Sequence, residues 1–149
     1  MNIFLSTPIS SFKNEKKLEQ YRIEVLKLID TLRVHHSVCA EIERFGQNSD
    51  FDTPDKSIED DLNAIQSCDL FLMHYPTCVP SSALLELGFA ISQKKQVIIV
   101  TPQKSNLPYL AQGIQSYIAN AHILETKQLD DATIDMIVEK INNEKQSLL

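Results

Sequence analysis

Between Ala83 and Ile91 the sequence reads ALLELGFAI, and Glu86 is the only charged residue in that apolar run. A carboxylate in such a place must be paired, protonated or open to a cleft, because isolated burial costs several kcal/mol or raises its pKa. A cleft is the economical answer and would make Glu86 a candidate for chemistry; at the rim of a half-buried helix, it would meet solvent or a tyrosine hydroxyl. Ser82 lies four residues earlier, so the two side chains can share one helical face. Ser81 and Ser82 follow Pro80 at a helix start, which makes them N-cap residues. The same position, with free backbone amides beside two hydroxyls, suits a phosphate or carboxylate ligand.

Asp60 and Asp61 sit in a polar helix, where the helix dipole favours acidic residues early on. Asp60 reads as a solvated member of that first turn, and Asp61 stands eight residues before Asp69. His35, His36, His74 and His122 show no metal-ligand spacing. Cys39, Cys68 and Cys78 form neither CxxC nor CxxH, so neither a disulfide framework nor a zinc knuckle is expected.

The elements that would position these groups alternate along the chain. Strands are predicted at Asn2 to Ser6, Ser37 to Ile42, Asp69 to Tyr75, Gln96 to Thr101 and Ala121 to Leu124. Helices are predicted at Glu15 to Arg33, Ser57 to Ser67, Ala83 to Ser92, Leu107 to Ile118 and Asp130 to Glu144, from apolar residues recurring every three or four positions. In Ser57 to Ser67, Ile58, Leu62 and Ile65 form the apolar face. Glu43 to Lys56 is polar and aperiodic and reads as a long loop. Alternating strands and helices predict an α/β, flavodoxin-like or Rossmann-like three-layer fold with a five-stranded parallel sheet. In such sheets ligands bind at the carboxyl ends of strands where the strand order reverses, which points to Ser6 to Phe12, Glu43 to Lys56 and Pro76 to Ser82.

At 149 residues and 43% hydrophobic, the chain is expected to form one domain over residues 1–149. No window approaches the ~18 apolar residues that cross a bilayer, and Met1 to Leu5 carry no basic n-region, so neither export nor membrane insertion is expected. A net charge of −6 and a pI near 5.1 leave no basic stripe for nucleic acid. The expected partner is a small molecule, and the expected compartment is a reducing cytoplasm.

With the residues placed, three stretches resemble the nucleoside 2-deoxyribosyltransferase superfamily, which includes nucleotide N-glycoside hydrolases. FLSTPIS (Phe4 to Ser10) resembles its opening strand and turn. SIEDDLNAIQSCDLFLMHY (Ser57 to Tyr75) resembles its helix–strand signature. PSSALLELGFAISQKKQVIIV (Pro80 to Val100) resembles its signature helix, where Glu-Leu-Gly-aromatic-Ala carries the nucleophilic glutamate.

The resemblance implies that Glu86 attacks the anomeric carbon of a ribosyl or deoxyribosyl group and leaves a covalent glycosyl-enzyme. It implies that Asp61 handles the proton of the departing base, and that Ser6, Thr7, Pro8, Ile9, Tyr75, Ser81 and Ser82 contact substrate. No metal or redox cofactor is implied; the ligand would be a nucleoside or nucleotide, and the assembly a homodimer or higher homo-oligomer. The sequence departs from the family's transferases at two positions: Phe4 stands where they often have a tyrosine that orients the glutamate, and Pro80 where they carry an aspartate. Members that hydrolyse nucleoside monophosphates use loop serines for the 5′-phosphate, as Ser81-Ser82 would, which favours nucleotide hydrolysis over base exchange.

Two other readings compete. TIR-like NAD glycohydrolases share the layout and a serine-then-glutamate pattern, although the aromatic residue beside their serine is missing here. A non-catalytic nucleotide-binding module would retain the cleft without turnover.

Overall fold

The computed structural model describes residues 1–44 and 53–147. Five parallel strands, β1 (Asn2–Ser6), β2 (Ser37–Cys39), β3 (Leu70–His74), β4 (Gln96–Thr101) and β5 (Ala121–Glu125), form one sheet in the order β2-β1-β3-β4-β5. The chain steps outward from β1 to β2 and then returns to the other side of β1, so the order reverses between β1 and β3. Helices α1 (Glu15–Arg33), α2 (Pro54–Ser67), α3 (Ala83–Ser92), α4 (Ile114–Tyr117) and α5 (Asp131–Ser147) complete a three-layer α/β fold.

Side-chain alternation along the strands decides what each face carries. Ile3, Leu5, Leu70 and Leu72 point to one side, where they pack against Val25, Leu28, Ile137 and Ile141 of α1 and α5. Phe4, Phe71 and Met73 point to the other side, against Ile65, Leu87 and Ala90 of α2 and α3. Phe4 and Phe71 stack there with ring centroids 5.8 Å apart. Ser6 shares the parity of Phe4, and this directs its side chain toward α3. β3 and β4 are buried along their whole length, as central strands of a parallel sheet must be.

The helix starts follow from local chemistry. The side chain of Asn14 accepts a hydrogen bond from Lys17 N at the head of α1, and Thr53 accepts one from Lys56 N at the head of α2. α2 therefore begins at Pro54 rather than Ser57, because Thr53-Pro54 supplies a cap followed by a proline suited to the first helical position. Of the apolar face expected on α2, only Ile65 is buried, and Ile58 is exposed.

Three further expectations are corrected. β2 ends at Cys39, and a 3-10 turn, Glu41–Glu43, replaces its predicted end. The predicted helix Leu107 to Ile118 resolves into a 3-10 turn, Ala111–Gly113, and the one-turn α4. Pro108 keeps Leu107 extended and Gly113 is a poor helix former, so no longer helix propagates. The loop read at Glu43 to Lys56 is helical from Pro54, and its residues 45–52 lie outside the described residues.

α3 closes with Lys94 in the left-handed region, at φ 53°. Lys94 N donates to Ile91 O and Lys95 N to Ala90 O, both at 3.0 Å, the paired bonds of a Schellman ending with lysine in the glycine position. Lys95 Nζ then donates to Gln66 O and Cys68 O, at 2.6 and 2.8 Å, tying the end of α2 to the start of β4.

Candidate active site

At the carboxyl edge of β1 and β3, on the α2/α3 side, lies a cavity of about 200 Å³. The end of β1 contributes Ser6 and Thr7, and the following turn contributes Ile9 and Ser10. Ser82 and Glu86 come from the start of α3, Ser57 and Asp61 from α2, and Glu41 from the turn after β2. Larger hollows, about 450 Å³ around Lys94 and Tyr117 and about 340 Å³ around Lys16 and Thr77, contain neither Glu86 nor Asp61.

Glu86 occupies the first turn of α3, and its Oε2 accepts a hydrogen bond of 2.6 Å from Ser6 Oγ. The partner of this carboxyl is therefore a serine, not a tyrosine. Burial pushes Glu86 up to about 7; the Ser6 hydroxyl opposes the rise, and the negative charges of Asp61 and Glu41 add to it. Asp61 is pushed up to about 6, chiefly by burial and then by Glu41, against the lowering influence of Arg44. Two carboxyls facing one cavity thus exchange protons close to neutrality, where one can serve as nucleophile and the other as acid.

Ser82 occupies the cap position of α3 but makes no capping hydrogen bond with its side chain. Ser81 Oγ is buried without a hydrogen-bond partner. Capping therefore does not explain either hydroxyl.

No family model matches the chain, and no curated protein matches it either. Solved structures do. The CMP N-glycosidase BcmB of Clostridium botulinum superposes with a TM-score of 0.65 over 93% of this chain and 99% of that one, at 24% identity. The 2-deoxyribosyltransferase of Bacillus psychrosaccharolyticus superposes with a TM-score of 0.58 over 90% and 96%, at 20% identity. BlsM gives a TM-score of 0.67 over 95% and 93%, also at 20% identity. The chain has the nucleoside 2-deoxyribosyltransferase-like fold.

Within that deoxyribosyltransferase-like fold, the cavity gathers Ser6, Thr7, Ile9, Asp61, Ser82 and Glu86 from the residues singled out in the sequence. Pro8 is buried beside the turn, outside the cavity lining. Tyr75 is also buried outside it, and its hydroxyl donates to Val79 O at 3.0 Å, bracing the loop that leads to Ser81. Ser11 Oγ reaches the same carbonyl at 3.4 Å. Asp60 pairs with Lys56 at 2.8 Å, and Asp69 accepts from Asn2 N at 2.7 Å. Tyr109 and Tyr117 are exposed and do not line the cavity.

Glu41 and Ser57 line the cavity without having stood out in the sequence. Glu41 falls in the stretch read as the end of a strand, and Ser57 opens the stretch read as a helix, so neither stood apart from its element. His74, by contrast, belongs to the opposite side of the sheet: its Nδ1 lies 3.0 Å from the Tyr21 hydroxyl, and burial pushes its pKa down to about 4. Among the described residues no group of three His, Cys, Asp or Glu side chains could hold a metal, and no helix is long and apolar enough to cross a membrane.

Proposed function

We propose that this chain hydrolyses the N-glycosidic bond of a nucleoside 5′-monophosphate through a glycosyl ester on Glu86. The observation that carries the proposal is the 2.6 Å hydrogen bond from Ser6 to Glu86 inside a cavity shared with Asp61. Serine here takes the orienting role that a tyrosine would have at Phe4. Glu86 Oε bonds to C1′ while the C1′–N bond breaks, its electron pair leaves with the base, and Asp61 gives the base a proton. Water then bonds to C1′ and yields its proton to Asp61, and Glu86 is released. No metal or redox cofactor enters these steps.

Ser81 and Ser82, beside the amino end of α3, take the 5′-phosphate; the unpartnered Ser81 hydroxyl and the uncapped helix start support this. Thr7 and Ile9 form the wall next to the sugar, Pro8 sets the turn between them from outside the lining, and Tyr75 contributes through the loop it braces. That the Clostridium botulinum protein is a CMP N-glycosidase supports a nucleotide substrate and hydrolysis over transfer. The free thiols Cys39, Cys68 and Cys78 suit a reducing cytoplasm. Assembly into a homodimer or higher homo-oligomer belongs to the proposal, supported by exposed Ile58 and Leu85 on the two helices that carry Asp61 and Glu86.

The reactive form needs Glu86 ionised and Asp61 protonated. Because Glu86 titrates at about 7 and Asp61 at about 6, this is the minority placement of a single shared proton, and kcat/KM follows a bell whose limbs belong to the pair. The test follows base release from nucleosides, nucleoside monophosphates and NAD, with and without an acceptor base, beside Glu86→Gln. Base release from monophosphates alone, independent of acceptor and lost in Glu86→Gln, is expected. Release from free nucleosides only with an acceptor would make the chain a transferase, release from NAD would favour the TIR-like chemistry, and release from nothing would leave ligand binding.

A further inference from the structure

The turn that carries Glu41 is held unusually firmly for a short surface connection. Ile42 at its centre is fully buried, and its carbonyl accepts from Arg22 Nε at 3.4 Å. Arg33 grips the same turn with both terminal nitrogens on Glu43, at 2.6 and 2.8 Å, and also donates to Val38 O at 2.9 Å. Two arginines of α1 thus fix the turn from behind, and Glu41 is the residue it presents to the cavity. Arg44 Nη1 lies 3.6 Å from Glu41 Oε1, at the exposed rim.

Three carboxyl groups, Glu41, Asp61 and Glu86, therefore line one small cavity, and the neighbouring cation Arg44 is not among its lining residues. Like charges this close cannot all ionise without cost, so a proton is retained among them. Asp61 is faced by Glu41 and Arg44 from the turn, Cys39 from β2, Asp60 from its own helix and Glu86 from α3. Of these, Glu41 and Glu86 are the carboxyls supplied by other elements, and Glu41 belongs to the turn that Arg22 and Arg33 hold.

We propose that Glu41 is a positioning residue, standing beside Asp61 so that the Asp61 carboxyl keeps its proton until the departing base takes it. This rests on the glycosidase reading above for the fate of that proton. Glu41 makes no bond to substrate; the proton passes from Asp61 Oδ to the base as the C1′–N pair leaves, and returns to Asp61 from the attacking water.

The test reads the Asp61 carboxyl directly by carbon-13 NMR titration of the unliganded protein, and separately the pH profile of kcat/KM for base release. In Glu41→Gln the Asp61 midpoint should move to lower pH by about 0.5, since an adjacent negative charge is gone. The acid limb of the bell should follow it, and the peak should fall by at most about threefold, since Glu41 also raises Glu86 and its loss lowers that carboxyl in part as well. Arg44→Met should move the same midpoint the opposite way, which a general loosening of the turn would not do. An Asp61 midpoint unchanged in Glu41→Gln overturns the proposal whatever the activity. A midpoint that moves while the rate profile stays overturns the catalytic part. If the wild-type protein releases no base, the glycosidase reading fails and Glu41 loses its role in reaction, while the titration still reports whether Glu41 acts on Asp61.

Discussion

Ser6 Oγ and Glu86 Oε2 lie 2.6 Å apart, although eighty positions separate the two residues in sequence. The last residue of β1 thereby fixes the direction of a carboxylate on the first turn of α3, and stabilises its charged form. In Ser6→Ala the loss of a hydrogen bond to a charged group, about 1.5–3 kcal/mol, should lower kcat/KM by roughly 10- to 100-fold. Glu86 should also titrate at higher pH, moving the alkaline limb of the rate profile upward. A variant with an unaltered pH profile would show that Ser6 does not act on Glu86.

Glu86 ought to weaken the fold as pH rises. Its pKa stands at about 7 against an ordinary 4.5, so the folded chain favours the protonated form. That contribution is complete below about pH 4.5 and is lost as pH climbs through 7. Glu86→Gln, which stays neutral, should gain stability over wild type across this window, by up to about 3 kcal/mol. Chemical denaturation at pH 4.5 and pH 8 measures it; an equal difference at both would contradict the burial of the charge.

Ser81→Ala should separate binding from stability. Removing a buried hydroxyl that has no partner should leave the fold unchanged or stabilise it by about 1 kcal/mol. The same change should narrow the preference for nucleotide over nucleoside. Unchanged preference in a well-folded variant would remove Ser81 from the phosphate site.

Lys94→Gly tests a cost in the scaffold. A left-handed lysine at the end of α3 is strained relative to glycine, although glycine also makes the unfolded chain more flexible. The net gain should be about 0.5–1 kcal/mol, or roughly 1–4 °C in Tm for a chain of this size. Because Lys94 lies at the amino edge of the sheet, away from the cavity, turnover should not change. A lower Tm would mean that the lysine side chain makes a compensating contact.

Much of this architecture was legible because parallel sheets write themselves plainly. Runs such as LFLM and VIIV are unbroken apolar stretches since both faces are covered, and the α1 stripe from Leu18 to Leu32 repeats at helical spacing. Glu86 was legible for a related reason, as one charge in an apolar helix. Glu41 was not: the turn Glu41–Glu43 is three residues long, and EIER looks like the solvated end of a strand. The turn that places it is held by Arg22 and Arg33, contacts of tertiary origin that no local spacing encodes. Tyr75 follows directly after β3, a position that suggests a cleft, and the sequence does not show that its hydroxyl donates to Val79 O. Similarly, Pro108 and Gly113 outweighed the helical periodicity around Ala111.

The burial of β4 on both faces has a consequence for how the chain reaches its native state. QVIIVT is short, β-branched and uncharged, the kind of segment that pairs with copies of itself when exposed. It is covered only when β3 on one side, β5 on the other and helices on both faces are in place, and parallel pairing of this kind closes slowly because its contacts are distant in sequence. Refolding from denaturant is therefore a competition between assembly of the sheet and association between chains, and its yield falls as protein concentration rises.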